Sequence, residues 1–224
     1  MNIQDTKQYR LWHDAQTQAG NTVQSVTPLW QFNVGPNQDI PFAFAAHVEV
    51  KVGAEGRVKG NEFILSRPDI CHVVLWHRPK YASQPGAAQV VLVREFRSTS
   101  RTKDGYIREC PGGSSAKDVN PRESAAAEVL EETGLVLDVE RLVPLDARQL
   151  CGTFSTHKAH VFSYRLTAEE MYVIEQQAEA VHGNEDESER TYVEIVNAVD
   201  LLHMDVDWAN VGMVFAAIIA EDYR

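Results

Sequence analysis

The sequence predicts an α+β fold in which helices flank a β-sheet. Two short apolar runs, Cys71–Trp76 and Gln89–Val93, have the length and composition of strands inside a sheet. A helix is expected to begin at Pro121, because proline suits the first helical position, and further helices are expected over residues 168–179 and 207–221. Strands and helices thus share a chain of 224 residues, which is long enough to bury a core.

A small β-rich unit is expected before this sheet. Residues 6–19 can form a helix, and two segments with alternating apolar residues, Phe42–Val52 and Phe63–Ser66, follow it. The connecting segment Gly53–Gly56 has the glycines of a turn, so the two segments are predicted to form a hairpin.

We place a domain boundary between residues 67 and 68. Pro68 disfavours a helical conformation in the residue before it. The N-terminal unit is thus predicted to span residues 1–67 and the second domain residues 68–224. Further strands of the second domain are expected at residues 136–143, 159–166 and 190–196.

Composition and charge exclude several classes of function. The net charge is −11, from 21 basic and 32 acidic residues, which opposes binding to nucleic-acid phosphates. No charge-free apolar run approaches the ~20 residues of a membrane helix, and the first residues lack the apolar segment of a signal peptide. The three cysteines, Cys71, Cys110 and Cys151, are widely spaced, which indicates neither disulfides nor a zinc site. We therefore expect a cytoplasmic protein with no nucleic-acid or membrane partner.

Three glutamates on the helix that begins at Pro121 indicate a metal site. Glu128, Glu131 and Glu132 are three and four residues apart, so they are neighbours on the helix surface. No Lys or Arg stands three or four residues from any of them. Two like charges ~6 Å apart repel by roughly 2–3 kcal/mol at an effective dielectric constant of ~20. Oxygen ligands without cysteine or histidine suit Mg²⁺ or Mn²⁺, and a solvated acidic helix face is the alternative.

This stretch closely resembles the Nudix box, G-x5-E-x7-R-E-U-x-E-E-x-G-U, in which U is a bulky aliphatic residue. The matching residues are Gly113, Glu128, Val129, Glu131, Glu132, Gly134 and Leu135. The resemblance implies the Nudix fold, a mixed β-sheet flanked by helices in an α/β/α sandwich. It also implies that Glu128, Glu131 and Glu132 hold the metal.

Two positions depart from the Nudix pattern. Its first glutamate falls on Val119 and its arginine on Ala127. An acid and a base are lost together, as expected for an ion pair that has been abandoned, because one charged partner left buried alone costs several kcal/mol. Asp118 or Glu123 is a candidate to replace the missing glutamate.

Residues outside the box are similar to the branch of this family that hydrolyses ADP-ribose and nucleoside-diphosphate sugars. The LVRQYR…ELPAG pattern of that branch is matched by VLVREFR and IRECPGG, which end at Arg97 and Gly113. The resemblance implies that Arg97 contacts the diphosphate or the terminal ribose, that Glu109 belongs to the substrate site and that the Gly112 carbonyl is a metal ligand. Arginine suits phosphate because its planar guanidinium donates hydrogen bonds in pairs. A surface salt bridge of Arg97 with Glu95 or Glu109 is the alternative.

An acidic loop precedes the last predicted strand and contains Glu185, Glu187 and Glu189. In the same branch, a loop glutamate at this place positions or deprotonates the attacking water. Glu187 fits that place best and Glu189 next. A base needs to lie within hydrogen-bond reach of its water, and a mobile loop can deliver it on closure. A merely solvated acidic loop is the alternative.

The segment after the box departs from ADP-ribose pyrophosphatases. Where those enzymes commonly carry a Pro-Gly pair and then a glutamate, this chain has a Cys-Gly pair ending at Gly152, and then Thr156 or His157. Gly152 is kept as a substrate-binding candidate. The sequence therefore predicts diphosphate cleavage more strongly than it predicts ADP-ribose as the substrate. In this branch the N-terminal unit is commonly exchanged within a homodimer and helps to cover the base, so Trp30 or Phe32 could supply a stacking face.

The sequence therefore predicts a hydrolase that uses Mg²⁺ or Mn²⁺ to cleave a nucleoside diphosphate linked to a second group. The leading substrate is ADP-ribose or a nucleotide sugar, a small molecule that yields a nucleoside monophosphate and a sugar phosphate, and the protein is expected to be a homodimer. The expected catalytic residues are Glu187, Glu189, Glu131 and Glu132. The alternatives are a Nudix module that binds a nucleotide sugar as a sensor, and a hydrolase of dinucleotides or of coenzyme A.

Overall fold

The structure is a computed structural model that describes residues 2–80, 84–114, 119–183 and 189–223. The chain divides into two compact units. The first consists of Met1–Ile70, Ser114–Asp118 and Arg148–Ala159, and the second of Cys71–Gly113, Val119–Ala147 and His160–Arg224. The predicted boundary at residue 67 lies near the first transition, but the sequence assigns residues 148–159 to the second domain, whereas they cluster with the first unit.

In the described part of the first unit, one long helix accompanies a three-stranded antiparallel sheet. Helix α1 is Lys7–Gln18, and the strands are β1 (Thr22–Val34), β2 (Ile40–Val52) and β3 (Arg57–Ser66), in the order β1-β2-β3. The predicted hairpin corresponds to β2 and β3. Strand β1 was not predicted, because residues 27–32 are exposed in succession and show no alternation of apolar and polar residues. The core of this unit consists of Ile3, Tyr9, Phe44, Ala46 and Val48.

Among the described residues, nine strands form a second, mixed sheet. They are β4 (Ile70–His77), β5 (Gln89–Phe96), β6 (Tyr106–Glu109), β7 (Gly112–Gly113), β8 (Val143–Pro144), β9 (Arg148–Gln149), β10 (Lys158–Arg165), β11 (Val181–His182) and β12 (Thr191–Asn197). The order is β11-β12-β5-β4-β10-β8, with β6 on β5, β7 on β4 and β9 on β10. The Leu166 N–H donates to the Trp76 carbonyl, so the carboxyl ends of β10 and β4 coincide and these two strands are parallel.

Helices α2 (Pro121–Thr133), α3 (Ala168–Gln176) and α4 (Trp208–Asp222) flank this sheet. One core contains Val129 of α2 and Ile174 of α3 together with Leu75, Val91 and Val193 of the strands. The mixed sheet with flanking helices confirms the α+β prediction at the level of architecture. No helix among the described residues is long and apolar enough to cross a membrane.

The strand predicted at residues 136–143 is wrong. Leu135 and Leu137 are buried, which mimics the alternation of a strand. The Asp138 side chain instead accepts a hydrogen bond from the Glu140 N–H and begins a 3-10 turn at Val139–Arg141. A short polar side chain that caps a turn competes with a strand ladder, and two residues of β8 remain.

Side-chain alternation along β5 determines which residues face α2. Val91 belongs to the core that contains α2. Because successive side chains of a strand point to opposite faces, Val93, Glu95 and Arg97 continue on the face of Val91. The apolar core of this face therefore gives way to charged residues at the end of β5.

Candidate active site

Helix α2 has defined ends, which fix the positions of its glutamates. The Asn120 side chain accepts a hydrogen bond from the Arg122 N–H, and Pro121 occupies the first turn. At the other end, Gly134 has φ +70°, and its N–H donates to the Leu130 carbonyl. A glycine suits this left-handed cap because it has no Cβ to clash. The sequence prediction of this helix is confirmed at both ends.

Glu132 lies at the centre of the site. Glu132 is 2% exposed, and one of its carboxylate oxygens accepts a hydrogen bond of 2.8 Å from the Gly112 N–H. Burial raises the pKa of Glu132 well above its usual value, against the lowering effect of that hydrogen bond. The carboxylates of Glu109, Glu128 and Glu189 raise it further. Within the described residues, carboxylates from three parts of the chain therefore lie near enough to Glu132 for their charges to act on it.

The Gly112–Gly113 strand packs too closely for side chains. A Cβ on Gly113 would lie 2.6 Å from a carboxylate oxygen of Glu128. A Cβ on Gly112 would lie 2.0 Å from the Cys71 carbonyl oxygen and 2.6 Å from His72 Nδ1. Real Cβ contacts are not found below about 3 Å, so both positions require glycine while the neighbouring atoms stay in place. The two glycines bring the Glu128 and Glu132 carboxylates against the backbone of β7.

Arg97 is surrounded by carboxylates of three chain segments. Its Nη2 lies 2.6 Å from Glu95 Oε2, 3.3 Å from Glu109 Oε1 and 3.9 Å from Glu189 Oε1. Strand register explains the grouping, because β5 pairs with β6 on one side and with β12 on the other. The salt bridges that were the alternative for Arg97 are thus present. We call Glu95, Glu109, Glu128, Glu132 and Glu189 the carboxylate cluster.

Glu95 is a residue of this site that the sequence analysis treated only as a salt-bridge partner. It is 6% exposed. Its Oε2 accepts no hydrogen bond within the described part of the chain, since the 2.6 Å contact with Arg97 has the distance of an ion pair but not the angles of a hydrogen bond. Burial raises the pKa of Glu95 to about 7; Arg97 opposes this increase, and Glu189 and Glu109 add to it. The signal in the sequence is that Glu95 stands two residues from Val93 and from Arg97, so the alternation of a strand places it on their face.

Helix α2 also anchors both ends of the acidic loop. The Gly183 N–H donates to the Glu131 carbonyl at 3.1 Å, and the Thr191 hydroxyl donates to the Glu132 carbonyl at 3.3 Å. The predicted base, Glu187, and its neighbour Glu185 lie outside the described residues. Glu189, the second candidate, is described and lies in the carboxylate cluster.

The predicted metal ligands differ in their surroundings. Glu132 is buried, Glu128 is partly buried, and Glu131 is exposed. The Gly112 N–H, not its carbonyl, makes the contact with Glu132 that the structure describes. Across residues 2–80, 84–114, 119–183 and 189–223, no three His, Cys, Asp or Glu side chains stand close enough to enclose a metal ion.

The donor chemistry nevertheless fits a hard divalent cation. Every side chain of the carboxylate cluster offers oxygen alone, and carboxylate oxygens are the ligands that Mg²⁺ and Mn²⁺ prefer. Arg97 is the cation that contacts the cluster through three of its members. The raised pKa values of Glu95 and Glu132 reflect burial together with this crowding of like charges. A divalent ion would relieve the repulsion.

Two further predicted substrate residues belong to the first unit. Trp30 is 51% exposed, and its ring stacks on Phe32 with a centroid distance of 6.3 Å. Gly152 is exposed in a turn in which the Cys151 carbonyl accepts hydrogen bonds from the N–H groups of Phe154 and Ser155. The rings of Trp30 and Phe32 are both half exposed and thus available for stacking. The roles of Trp30 and Gly152 remain predictions.

The two departures from the Nudix pattern lie on the surface. Val119 is 44% exposed, and Ala127 is exposed on α2. A charged pair at these positions would be solvated, so its loss leaves no buried charge and costs little. Glu123 is exposed, and Asp118 lies outside the described residues.

The fold is that of a solved hydrolase. The structure is similar to the crystal structure of an ADP compounds hydrolase, with a TM-score of 0.57 over 90% of this chain and 92% of that chain, at 16% sequence identity. The sequence matches no family model and no curated protein. An identity this low shows the fold alone, since one fold supports many reactions. The structure therefore shares the overall fold of that hydrolase.

Proposed function

We propose that the protein is a metal-dependent pyrophosphohydrolase that cleaves the diphosphate bond of a nucleoside diphosphate linked to a second group. The observation that carries the proposal is the carboxylate cluster beside the Gly112–Gly113 backbone, with Arg97 at its edge. Carboxylates around Mg²⁺ or Mn²⁺ and an arginine are the groups that stabilise charge in phosphoryl transfer.

Each residue has a distinct part in the proposed reaction. Glu128, Glu131, Glu132 and the Gly112 carbonyl would hold the metal, which neutralises the diphosphate and lowers the pKa of a bound water. Arg97 stabilises charge on the phosphoryl oxygens. A loop glutamate accepts a proton from the water; Glu187 is the first candidate and Glu189 the second. As the proton leaves, the oxygen of the water bonds to phosphorus and the bridging P–O bond breaks.

ADP-ribose or a nucleotide sugar is the leading substrate class. Its support is the similarity of the sequence around Arg97 and Glu109 to the branch that hydrolyses such compounds. A similar fold is found in a hydrolase described as acting on ADP compounds, which is compatible with an adenine nucleotide. The products would be a nucleoside monophosphate and a sugar phosphate.

A substrate screen tests the proposal. ADP-ribose, UDP-glucose, GDP-mannose, NADH and diadenosine polyphosphates should be offered with Mg²⁺ and with Mn²⁺, and the released monophosphate measured. We expect cleavage of at least one nucleoside diphosphate sugar and none after chelation of the metal. Preferred cleavage of NADH or of a diadenosine polyphosphate would instead favour a dinucleotide hydrolase. Coenzyme A, offered in the same assay, tests the alternative of a coenzyme A hydrolase.

Variants connect the activity to the site. Glu132→Gln and Glu131→Gln should each keep the fold and lower kcat by at least ~100-fold, as when a preorganised electrostatic group is lost. Mn²⁺ or Mg²⁺ should also raise the melting temperature of the wild type, because a ligand that binds the native state alone stabilises it. Near-normal turnover in both variants would refute the assignment of the metal site.

A non-catalytic sensor of nucleotide sugars is the second candidate. The observations that favour it are the departures at Val119 and Ala127 and the exposed position of Glu131. Such a module would bind a nucleotide sugar in calorimetry, yet release no monophosphate with any metal. Turnover that disappears in Glu132→Gln would exclude this alternative.

The proposal includes a homodimer with a small-molecule substrate. Trp30 and Phe32 are half exposed, and such rings suit stacking on a base or contact with a second copy of the chain. Light scattering of the wild type measures the oligomeric state. Trp30→Ala should raise KM without lowering kcat if the ring covers the base, and a monomeric wild type would contradict the dimer.

A further inference from the structure

The closest contacts of Arg97 with its three carboxylate partners are made by one of its nitrogens, Nη2. Within the described part of the chain, the carboxylates of Glu95, Glu109 and Glu189 approach Nη2, at 2.6, 3.3 and 3.9 Å. A guanidinium has five N–H donors, distributed over Nε, Nη1 and Nη2. Within the described part of the chain, neither Nε nor Nη1 donates a hydrogen bond, so N–H groups of Arg97 remain for oxygens of a phosphate.

Glu109 accepts a hydrogen bond of 3.3 Å from Nη2 of Arg97, and Glu95 is the more deeply buried anchor. Its side chain is 8% exposed, against 17% for Glu109 and 21% for Glu189, and its contact with Arg97 is the shortest. Glu95 also lies within β5, where both neighbouring strands pair with it, at Ile107 of β6 and Thr191 of β12. A carboxylate held in the middle of three strands cannot follow Arg97 if the arginine moves.

Arg97 is the less constrained member of this pair. It follows the last residue of β5, and its side chain is 42% exposed. A long, half-exposed arginine samples several rotamers unless a partner selects one, and losing that freedom on binding costs affinity. An anchor that selects the rotamer in advance removes this cost.

We propose that Glu95 is a positioning residue, which contacts Nη2 of Arg97 and so holds the guanidinium in the orientation that offers its remaining N–H groups to the diphosphate of the substrate. The inference rests on the proposed function, because it takes the diphosphate as the ligand of Arg97. It explains why a carboxylate is buried beside an anion-binding arginine, where its charge by itself opposes the substrate. A lysine at position 97 could not replace the arginine, because an ammonium lacks the fixed planar set of N–H groups that can contact Glu95 and phosphate at the same time.

The sign of one binding change separates positioning from simple electrostatics. At pH 8, above the pKa of about 7 of Glu95, Glu95→Gln removes a negative charge from the site. If that charge only repelled the substrate, an anionic ligand would bind more tightly to the variant. If Glu95 orients Arg97, the ligand binds more weakly, and we expect a loss of roughly 10-fold in affinity.

The test is a double-mutant cycle on ligand binding. The probe is α,β-methylene-ADP, a diphosphate that water cannot cleave at its bridge, titrated in a calorimeter with Mg²⁺ present. The proteins are the wild type, Glu95→Gln, Arg97→Ala and the double variant, and Glu194→Gln is the matched control. Glu194 is also a carboxylate paired with arginine, at 2.8 Å from Arg94 Nε, but it lies on β12 beside Ile195, which packs on the α2 face, so it faces the other side of the sheet.

Positioning predicts a specific pattern in this cycle. Glu95→Gln should weaken binding ~10-fold when Arg97 is present and should have no further effect in the Arg97→Ala background, because Glu95 then has no guanidinium to orient. Glu194→Gln should bind the probe like the wild type. A purely structural role would weaken binding equally in both backgrounds.

Three results would overturn the inference. They are tighter binding by Glu95→Gln, an equal loss with and without Arg97, and a wild type that does not bind the probe. Turnover is not part of this assay. A wild type that binds the probe but hydrolyses no substrate would refute the proposed hydrolase and leave the positioning of Arg97 to be decided by the cycle alone.

Discussion

Glu95→Gln should make the stability of the protein less dependent on pH. The pKa of Glu95 is raised from 4.5 to about 7 in the folded protein, mainly by burial, with Arg97 acting against and Glu189 and Glu109 acting with that effect. The folded state therefore binds more protons than the unfolded state between pH 4.5 and about 7. The free energy of unfolding falls as pH rises through this window, and the glutamine variant lacks this contribution.

The two pKa values set the size of the effect. One pKa unit corresponds to about 1.4 kcal/mol, so the contribution of Glu95 changes by at most about 2.5 kcal/mol between pH 5 and pH 8. Screening by water and relaxation of the site reduce this ceiling to ~1–2 kcal/mol. Relative to the wild type, Glu95→Gln should therefore gain ~1–2 kcal/mol of stability on going from pH 5 to pH 8.

Urea unfolding of both proteins at pH 5 and pH 8, with a chelator present, measures this difference. The chelator keeps metal binding from stabilising the wild type selectively. Equal m-values are required, because they show that both proteins unfold from similarly compact states. If the difference in unfolding free energy between the two proteins is the same at both pH values, the assignment of a raised pKa to a buried Glu95 is wrong.

Three further predictions concern the glycines, the loop and the helix surface. Gly113→Ala places a Cβ 2.6 Å from a carboxylate oxygen of Glu128, which is the end of a flexible side chain, so we expect a folded protein whose Mg²⁺-dependent turnover is at least ~10-fold lower. Gly112→Ala places a Cβ 2.0 Å from the backbone carbonyl oxygen of Cys71, so circular dichroism should show little folded protein. Equal folding of the two variants would contradict this packing. Glu187→Gln should reduce kcat by roughly 10²- to 10⁴-fold and Glu185→Gln should leave it nearly unchanged, and the opposite order would shift the register of the loop. Ala127→Arg should change the free energy of unfolding by less than ~0.5 kcal/mol because the position is exposed, and a larger loss in thermal melts would show that it is packed.

Elements with strong local signals were predicted well. Helix α2 was predicted from a proline at its start and a glycine at its end, and both ends agree with the structure. Strands β4 and β5 agree with two short apolar runs, and β10 and β12 agree with the strands expected at residues 159–166 and 190–196. Such signals act within a few residues, so they need no knowledge of what packs against the segment.

Elements whose form depends on partners were missed. Strand β1 is exposed along much of its length and forms because β2 offers it a ladder of backbone hydrogen bonds. Residues 136–143 have the alternation of a strand, but a turn capped by Asp138 replaces most of it. In both segments the outcome depends on competition between tertiary pairing and local capping, which the sequence pattern does not rank.

The sequence by itself determined which groups could form the site. Helical spacing made Glu128 and Glu132 neighbours, and the motif around Arg97 indicated an anion-binding arginine. Only the tertiary structure decided that Glu95 is buried and that Glu109 and Glu189 join it around Arg97, because the pairing of β5 with β6 and β12 brings these separate segments together. Pairing between distant strands is set by the packing of the whole sheet, whereas spacing along one helix is set by its 3.6-residue turn.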